Sequence, residues 1–353
     1  MINKLKSYID KNTAALIMSE ENIAYFTSFH SSNGYLVVTS DKSFFLTDSR
    51  YVEAAQNKIK TCDEVLLLKS MKTVLVNLIV KLGVNKIKLE ADRTTVTRYN
   101  EIRDMFLSIE TVCDTSLDKA INDIRITKTQ YEVDCIIKAQ RISEKAFEHI
   151  LGFIDDSRTE KDISLELDYF MLKNGAAALS FETIAVSGKN SSLPHGVPSD
   201  KKIEKGDFIT MDFGAVVDFY HSDMTRTVAF GGVSDKQIDV YNTVLDAQCK
   251  ALDEIKAGKL CKDIDSVARN IIKSKGYGDY FGHGLGHGVG VEIHEKPSLN
   301  PSSEEILKAG HIVTVEPGIY LPGEFGVRIE DMVYVTETGC NNLTLCDKKL
   351  IVL

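Results

Sequence analysis

Four carboxylates in two separate segments are the residues of this sequence best suited to chemistry. Asp212 and Asp223 lie in GDFITMDFGAVVDFYHSDMTRTVAFG, and Glu316 and Glu330 lie in HIVTVEPGIYLPGEFGVRIEDMVYV. Apolar residues flank all four, and a carboxylate in an apolar strand must be neutralised, paired with a basic side chain or bound to a cation. Two segments of the same design favour the cation, since hard divalent ions prefer carboxylate oxygen.

The first segment predicts a hairpin. Apolar residues alternate with polar or small ones from Ile209 to Phe213, which is typical of a half-buried strand. If the chain reverses near Val217–Asp218, antiparallel pairing places Asp212 directly across from Asp223, within about 5.5 Å.

The second segment predicts the same arrangement. It contains a Pro-Gly turn signal, and a fold centred on Gly323 brings Glu316 opposite Glu330. For any one of the carboxylates, exposure to solvent or a basic partner such as Arg226 or Arg328 is an alternative explanation.

Histidines and glycines are interspersed in a third segment, GHGLGHGVGVEIHEKP, from Gly282 to Pro297. The glycine spacing does not satisfy the G-x-G-x-x-G or P-loop pattern, and no H-E-x-x-H helix is present. Alternating apolar residues predict a strand over residues 288–294. The chain must bend at the glycines for His287 and His294 to serve one site, and glycine permits such a bend.

Together, the imidazoles and the carboxylates predict a hydrolytic metal site. A histidine ligand shifts the preference of a carboxylate site toward Mn, Co, Fe or Zn over Ca. Two such ions about 3.5–4 Å apart can activate a shared water and stabilise the oxyanion that follows its attack.

These segments need a scaffold, and 353 residues are enough for two domains. Residues 1–124 alternate between helices and strands. NKLKSYIDKN predicts a helix, AALIMS a buried strand, GYLVVTSDKSFFLTD a hairpin with its turn at SDKS, MKTVLVNLIVKLG a helix and KIKLE a strand. We therefore expect an α/β N-terminal domain, in which no group of residues is suited to catalysis.

The second domain is predicted over residues 125–353. It starts with a long amphipathic helix from Lys128 onward, because apolar residues there recur at steps of three and four. Helices come first in this region, and strands with glycine-rich turns follow. This order predicts an α+β domain that carries all three chemical segments.

Composition excludes several classes of function. The net charge of −9 and the pI near 5.5 argue against a nucleic-acid surface, which needs a basic footprint. No apolar run approaches the ~20 residues of a membrane span, and the N-terminus does not resemble a signal peptide. Seven cysteines without a CxxC pair fit reduced thiols, so we expect a cytoplasmic protein that binds neither nucleic acid nor membranes.

Six motifs follow one another along the chain: LPHG, MDFG, SDMTRT, GHGLGHGVGVEIHE, TVEPGIY and VRIED. Over residues 128–353 this set resembles the metallopeptidases with the pita-bread fold, which include aminopeptidase P, Xaa-Pro dipeptidase (prolidase) and methionine aminopeptidase. The segment AYFTSFHSSNGYLVVTSDKSFFLTDSRY is similar to the N-terminal domain of the proline-specific branch. The resemblance therefore implies an α+β pita-bread catalytic domain and a metal-dependent Xaa-Pro peptidase.

The resemblance also implies five metal ligands, which are Asp212, Asp223, His287, Glu316 and Glu330. Asp223 and Glu330 would bridge two ions. Asp212 would hold one of the ions, and His287 and Glu316 would complete the shell of the other.

Catalytic roles follow from the same resemblance. His195 and His294 match the histidines that contact the substrate and the tetrahedral intermediate. The implied mechanism is attack of a metal-bridging hydroxide on the scissile carbonyl, with Glu316 as proton shuttle.

Further residues of the motifs are predicted to support the ligands. Arg328 and Thr225 lie beside ligands in the sequence and would orient carboxylates. Tyr220 would do the same or would simply pack in the core. His283 matches a motif position without a ligand role, which favours a structural or supporting function.

The resemblance leaves the exact activity open. Some dipeptidases place a basic residue just after the HExP segment to hold the dipeptide carboxylate, and Ser298 occupies that position here, which favours longer peptides. A creatinase-like hydrolase is an alternative, although creatinase departs from the ligand set. A non-enzymatic peptide-binding module is another, although such relatives lose ligands and this chain retains all five.

The expected cofactors are two divalent metal ions per chain, with Mn favoured and Co or Zn as alternatives. The expected substrates are short proline-containing peptides. From the family resemblance we also expect a homodimer.

Overall fold

The computed structural model describes every residue from Met1 to Leu353, and the chain divides into two units between Arg125 and Ile126. The sequence places the domain boundary one residue earlier, between residues 124 and 125. None of the helices combines the length and the apolar composition that crossing a membrane requires.

A six-stranded mixed sheet forms the centre of the first unit, in the order β4-β3-β2-β1-β5-β6. The strands are β1 (Thr13–Ile17), β2 (Gly34–Thr39), β3 (Ser43–Thr47), β4 (Glu64–Leu67), β5 (Lys86–Leu89) and β6 (Glu110–Val112). The helices are α1 (Ile2–Lys6), α2 (Glu20–Thr27), α3 (Val52–Lys58), α4 (Val76–Lys81), α5 (Val96–Met105) and α6 (Ser116–Arg125). The α/β prediction for this unit is confirmed.

Local predictions in the first unit succeed to different degrees. The hairpin with its turn at SDKS is present, with Val38 opposite Ser43. The helix predicted over residues 3–12 is wrong beyond Lys6, because the chain turns toward β1 through Asn12, which has a φ of 61°. The helix predicted over residues 71–83 begins with a π-helical turn, Met71–Leu75, and continues as α4.

Four helices and thirteen strands make up the second unit. The helices are α7 (Gln130–Leu151), α8 (Glu160–Lys173), α9 (Asp235–Glu254) and α10 (Cys261–Ser274). The strands are β7 (Ala178–Leu179), β8 (Ile184–Ser187), β9 (Phe208–Phe213), β10 (Ala215–Val217), β11 (Tyr220–His221), β12 (Met224–Ala229), β13 (Gly286–Gly288), β14 (Glu295–Leu299), β15 (Ile312–Val315), β16 (Gly318–Leu321), β17 (Phe325–Arg328), β18 (Asp331–Val335) and β19 (Cys340–Asn342). This composition confirms the α+β prediction.

Each pair of helices covers one group of strands. Apolar residues of α7 and α8 pack with those of β8, β9 and β12, which form one sheet. Apolar residues of α9 and α10 pack with those of β15 and β18, which belong to a five-stranded sheet. The long helix predicted from Lys128 begins at Gln130, where Thr129 and Glu132 form a capping box.

The first acidic hairpin is present, but its predicted register is wrong by two residues. Asp212 lies opposite Thr225 and not opposite Asp223. The chain reverses at Asp218 and Phe219, which both have positive φ, one residue later than predicted. Because side chains alternate with a period of two, a shift of two residues keeps Asp212 and Asp223 on the same face.

The second acidic hairpin has the predicted register on both sides of the carboxylates. Gly318 pairs with Arg328 in one sheet and Val315 pairs with Asp331 in another, which is the register of a fold centred on Gly323. Glu316 and Glu330 lie where the pairing is interrupted between the two sheets. There the Glu316 N–H donates to Leu285 O at 2.8 Å, and the Glu330 N–H donates to Thr225 O at 3.1 Å.

The glycine-histidine segment differs from its prediction. Its strand, β13, ends at Gly288, and residues 290–294 bend before β14 begins, so the strand predicted over residues 288–294 is wrong. The predicted bend is confirmed. A glycine is required at Gly286, where a Cβ atom would lie 2.0 Å from Thr314 O of the neighbouring strand β15.

Candidate metal centre

All five predicted ligands line one cavity of about 580 Å³ in the second unit. Asp212 extends from β9 and Asp223 directly precedes β12, while His287 lies within β13. Glu316 directly follows β15, and Glu330 lies between β17 and β18. Strand ends therefore bring together residues that are widely separated in the sequence.

The distances between these side chains suit a shared cation. Donor atoms of Asp223, His287 and Glu330 all lie within 4.8 Å of one another. His287 Nε2 is 3.5 Å from Asp223 Oδ2 and 3.4 Å from Glu316 Oε1. One nitrogen and several carboxylate oxygens thus converge without touching, as they must if an ion is to fit between them.

His287 is oriented and protonated as a metal ligand should be. Its Nδ1 lies 3.0 Å from Gly288 O, so this nitrogen carries the hydrogen and Nε2 faces the carboxylates with its lone pair. Burial lowers the pKa of His287 to about 4, and the neutral imidazole that results is the form that binds metal.

The ionised state of Asp223, Glu316 and Glu330 is energetically unfavourable, and the pKa values of these three carboxylates are raised. Burial, then repulsion by Asp212 and Glu316, raises the pKa of Asp223 well above its ordinary value. Burial, then repulsion by Asp223 and Glu316, does the same to the pKa of Glu330. Burial also raises the pKa of Glu316, to about 8, against the lowering effect of Arg328.

A buried carboxylate oxygen without a partner adds to this pattern. Asp212 Oδ1 is buried and has no hydrogen-bond donor. Such an atom is costly unless a cation or an ordered water satisfies it. Four carboxylates, one neutral imidazole and this unsatisfied oxygen fit divalent cations such as Mn, which accept mixed oxygen and nitrogen ligands.

Arg328 and Thr225 link two of the predicted ligands. Arg328 Nη2 donates to Asp212 Oδ2 at 2.6 Å, and its Nε donates to Thr225 Oγ1 at 3.0 Å. Thr225 Oγ1 in turn donates to Glu330 Oε2 at 2.8 Å. This chain of hydrogen bonds fixes the orientation of two carboxylates, one on β9 and one between β17 and β18.

Tyr320 is a residue of this network that sequence reasoning missed. Its hydroxyl accepts from Arg328 Nη1 at 2.9 Å and lies 2.9 Å from His283 Nε2. Burial lowers the pKa of His283 to about 4 and raises that of Tyr320 to about 12, so the tyrosine donates to a neutral histidine. The quoted segment TVEPGIY contains Tyr320, but nothing in its spacing indicates a contact with Arg328.

The two histidines predicted to be catalytic lie on the wall of the same cavity. The ring of His294 is 4.4 Å from that of His287, centroid to centroid, at an interplanar angle of 70°. Burial lowers the pKa of His294. His195 lines the cavity from the loop that follows residue 192.

Tyr220, for which the sequence left two roles open, has its hydroxyl and its ring in contact with α7. Its hydroxyl donates to Glu132 Oε1 at 3.1 Å, a carboxylate outside the predicted ligand set. Its ring packs edge-on against Tyr131. The second reading of Tyr220, a packing residue of the core, agrees with these contacts.

Comparison with known proteins gives the family. Residues 134–337 match metallopeptidase family M24, and residues 2–127 match the creatinase/prolidase N-terminal domain. An Xaa-Pro dipeptidase of Pyrococcus furiosus is 37% identical over 361 residues, which cover 99% of each chain.

Two solved structures resemble the whole chain. An Xaa-Pro dipeptidase from Bacillus anthracis has a TM-score of 0.94 and 40% identity, covering 100% of this chain and 99% of its own. An X-Pro aminopeptidase from Thermotoga maritima has a TM-score of 0.91 and 38% identity, covering 97% of each chain.

These matches confirm the predicted fold, an α/β N-terminal domain followed by a pita-bread catalytic domain. They also confirm the predicted enzyme class, a metal-dependent peptidase. The chain therefore belongs to metallopeptidase family M24 and carries a creatinase/prolidase N-terminal domain ahead of its catalytic domain.

Proposed function

We propose that this protein is an exopeptidase that hydrolyses the bond between an N-terminal residue and a following proline, with two divalent cations as cofactors. The observation that carries the proposal is the cavity in which four carboxylates and His287 converge beside two further histidines. The proposed ligands are Asp212, Asp223, His287, Glu316 and Glu330. The similar proteins named for Xaa-Pro cleavage support the substrate class.

When bound, the two cations would supply a deprotonated water as nucleophile and a Lewis acid for the scissile carbonyl. We assign proton transfer from that water to the leaving amine to Glu316. Its side chain is 17% exposed, whereas that of Asp223 is 6% exposed, so Glu316 is the more accessible of the two for proton transfer. The Thr314 hydroxyl donates to Glu316 Oε1 at 3.3 Å and fixes the carboxylate in place.

His195 and His294 are assigned to the substrate. Both line the same cavity as the carboxylates, from loops that lie outside the sheets. An imidazole N–H at this position would donate to the oxygen of the scissile carbonyl as negative charge develops on it. The apolar part of the wall suits a proline ring, and it consists of Phe181, Ile184, Pro194, Val197, Pro198 and Ile293.

The charges of the cavity favour peptides longer than two residues. Arg328 is the only lysine or arginine of its lining, and its guanidinium already donates to Asp212, Thr225, Tyr320 and Pro194 O. The free carboxylate of an Xaa-Pro dipeptide would therefore lack a cationic partner. We propose that aminopeptidase activity on longer peptides exceeds dipeptidase activity.

Further parts of the proposal concern the ion and the assembly. Mn is the proposed metal, with Co or Zn as alternatives, since oxygen donors outnumber nitrogen donors. We also propose a homodimer in the cytoplasm; all seven cysteines are free thiols, as expected for a reducing compartment. Light scattering of the purified protein tests the dimer.

The experiment that tests the function is hydrolysis of three peptides after reconstitution with Mn, Co or Zn. The peptides are an Xaa-Pro dipeptide, a longer Xaa-Pro-Xaa peptide, and a longer peptide that begins with Met and lacks proline. We expect the longer proline peptide to be cleaved best and the Met peptide not to be cleaved. Bound metal without cleavage of either proline peptide would overturn the proposal.

A further inference from the structure

The loop that carries His294 has no regular secondary structure of its own. It spans residues 290–294, between the end of β13 and the start of β14. The Gly290 N–H donates to Glu292 O at 3.0 Å, and Gly290 O accepts from the His221 N–H at 2.9 Å. The position of the His294 ring therefore depends on what holds this short loop.

The carboxylate of Glu295 lies underneath the loop. Its Oε1 accepts from the Glu292 N–H at 3.2 Å. A Cβ atom on Gly290 would lie 2.5 Å from both of its carboxylate oxygens. The loop main chain thus wraps closely around this one carboxylate, and only glycine at position 290 permits the approach.

Lys128 reaches this carboxylate from a distant part of the second unit. Its Nζ donates to Glu295 Oε2 at 2.7 Å across 167 residues of sequence, and the two side chains are 1% and 6% exposed. The lysine main chain is itself fixed, because its N–H donates to Gly310 O at 2.8 Å just before the cap of α7. A buried ion pair with this geometry can hold the main chain at Glu292, which donates to Glu295, in a fixed position.

We propose that Lys128 and Glu295 act as a positioning pair, which holds the loop of residues 290–294 so that His294 faces the substrate. Lys128 is not among the residues that line the cavity, so its effect on turnover is expected to pass through the loop that carries His294. The inference rests on the proposed function, in which His294 contacts the substrate.

The test is a double-mutant cycle between Lys128→Met and His294→Ala, measured with an Xaa-Pro-Xaa peptide. We expect Lys128→Met alone to lower kcat by about 10- to 100-fold, as for a displaced catalytic group, with KM and metal content nearly unchanged. In the His294→Ala background the same change should lower kcat by less than about 3-fold. Equal losses in both backgrounds would overturn the proposal.

A second measurement does not depend on activity. Hydrogen exchange of the amides of residues 290–295 should be faster in Lys128→Met than in the unmodified protein, with or without metal. Unchanged exchange at these amides would overturn the proposal. Lys128→Arg keeps the charge and should restore most of the lost kcat.

Two further variants distinguish the loss of loop positioning from a general loss of folding. Lys128→Met with Glu295→Gln removes both charges and leaves neither buried alone, and it should still show the lowered kcat. Lys201→Met is the matched control, because it breaks the Lys201–Asp207 pair of 2.6 Å in the same unit, and its kcat should stay within about 2-fold of normal. If the unmodified protein cleaves no proline peptide, the proposed function fails, and the exchange measurement still decides the anchoring role.

Discussion

Glu330 and Asp331 are neighbours in the chain, and both are almost completely buried, yet their surroundings are opposite. Asp331 accepts hydrogen bonds from four side chains, two of them cationic: Arg226, Lys348, Gln248 and Asn342. Although burial opposes it, Arg226 and Lys348 lower the pKa of Asp331. The negative charge of Asp331 is therefore compensated by cationic side chains of the protein.

Glu330 lies just before the start of β18 and lines the cavity. Thr225 donates to one of its oxygens, and its charged neighbours are mainly Asp223, Glu316 and Asp212, so burial and repulsion raise its pKa. Two kinds of buried carboxylate can therefore be told apart by the charges around them. Where the protein supplies cations, the carboxylate is part of the scaffold; where it supplies more carboxylates, the site is built for a cation from outside.

The most severe test of this comparison removes a carboxylate on the cavity side. Asp223→Ala should abolish metal binding and reduce kcat/KM to less than about a thousandth of normal, because Asp223 is a proposed bridging ligand. Metal content by mass spectrometry and peptide hydrolysis measure the two effects. Near-normal turnover with two ions still bound would remove Asp223 from the ligand set.

The comparison itself is tested by Asp331→Asn and Glu330→Gln in metal-free protein. Asp331→Asn should lower the free energy of unfolding by about 3–5 kcal/mol, since it leaves Arg226 buried without its counter-charge. Glu330→Gln should leave that free energy unchanged or raise it, because it removes repulsion. Urea unfolding measures both, and equal destabilisation by the two variants would break the distinction.

Within the cavity, His294→Ala distinguishes metal ligands from residues that contact the substrate. His294 lies beside the carboxylates but is assigned to the substrate, so its loss should lower kcat by about 100-fold and leave metal content unchanged. Steady-state kinetics and metal analysis on the same sample measure this. Loss of metal would mean that His294 is a ligand.

The pH dependence of stability should separate metal-free from metal-loaded protein. Glu316 has a pKa raised from 4.5 to about 8 in the folded protein, so the folded state binds more protons than the unfolded state between these values. Below the ordinary histidine pKa of 6.5, the neutral buried His283 and His287 have the opposite effect on stability. The metal-free protein should therefore lose stability as pH rises from about 6.5 to about 8, and bound cations should remove the loss. Thermal unfolding at several pH values measures this loss, and a metal-free Tm that rises between about pH 6.5 and 8 would contradict the raised pKa of Glu316.

The smallest expected effect concerns the mouth of the cavity, where Glu182 is exposed. Glu182→Lys should raise kcat/KM for an Xaa-Pro dipeptide about 3-fold relative to a longer peptide, because it offers the dipeptide carboxylate a cation, and salt should weaken the gain. Asp246→Lys, on an exposed position of α9, is the matched control. An equal change of kcat/KM in both variants would show that the effect comes from net charge and not from the position of Glu182 at the mouth of the cavity.

Much of the site could be predicted because its residue types are unusual for their setting. Acidic residues among alternating apolar ones, and histidines among glycines, indicate a metal site before any contact is known. The register around Gly323 was also predictable, since a Pro-Gly turn fixes it. The register of the first hairpin was missed because the reversal uses Asp218 and Phe219, and phenylalanine at a positive φ is no turn signal.

Other features had no local signal at all. Tyr320 and Lys128 are ordinary in sequence, and only their contacts with Arg328 and Glu295 single them out. A bend was predicted because His287 and His294 must both reach one site. Its position at residues 290–294 was not predicted, because alternating apolar residues indicate a strand there.

Residue types and their spacing are enough to establish the chemistry that is available, which is carboxylates and imidazoles in strand-rich segments of a two-domain chain. The purpose of each carboxylate depends on tertiary contacts. Glu330 and Asp331 occupy adjacent positions of the same motif, and local pattern cannot separate them. Their partners come from elsewhere in the chain: Thr225 donates to Glu330, whereas Arg226 and Lys348 donate to Asp331. Packing alone therefore brings two cations to Asp331 and gives Glu330 a neutral hydroxyl.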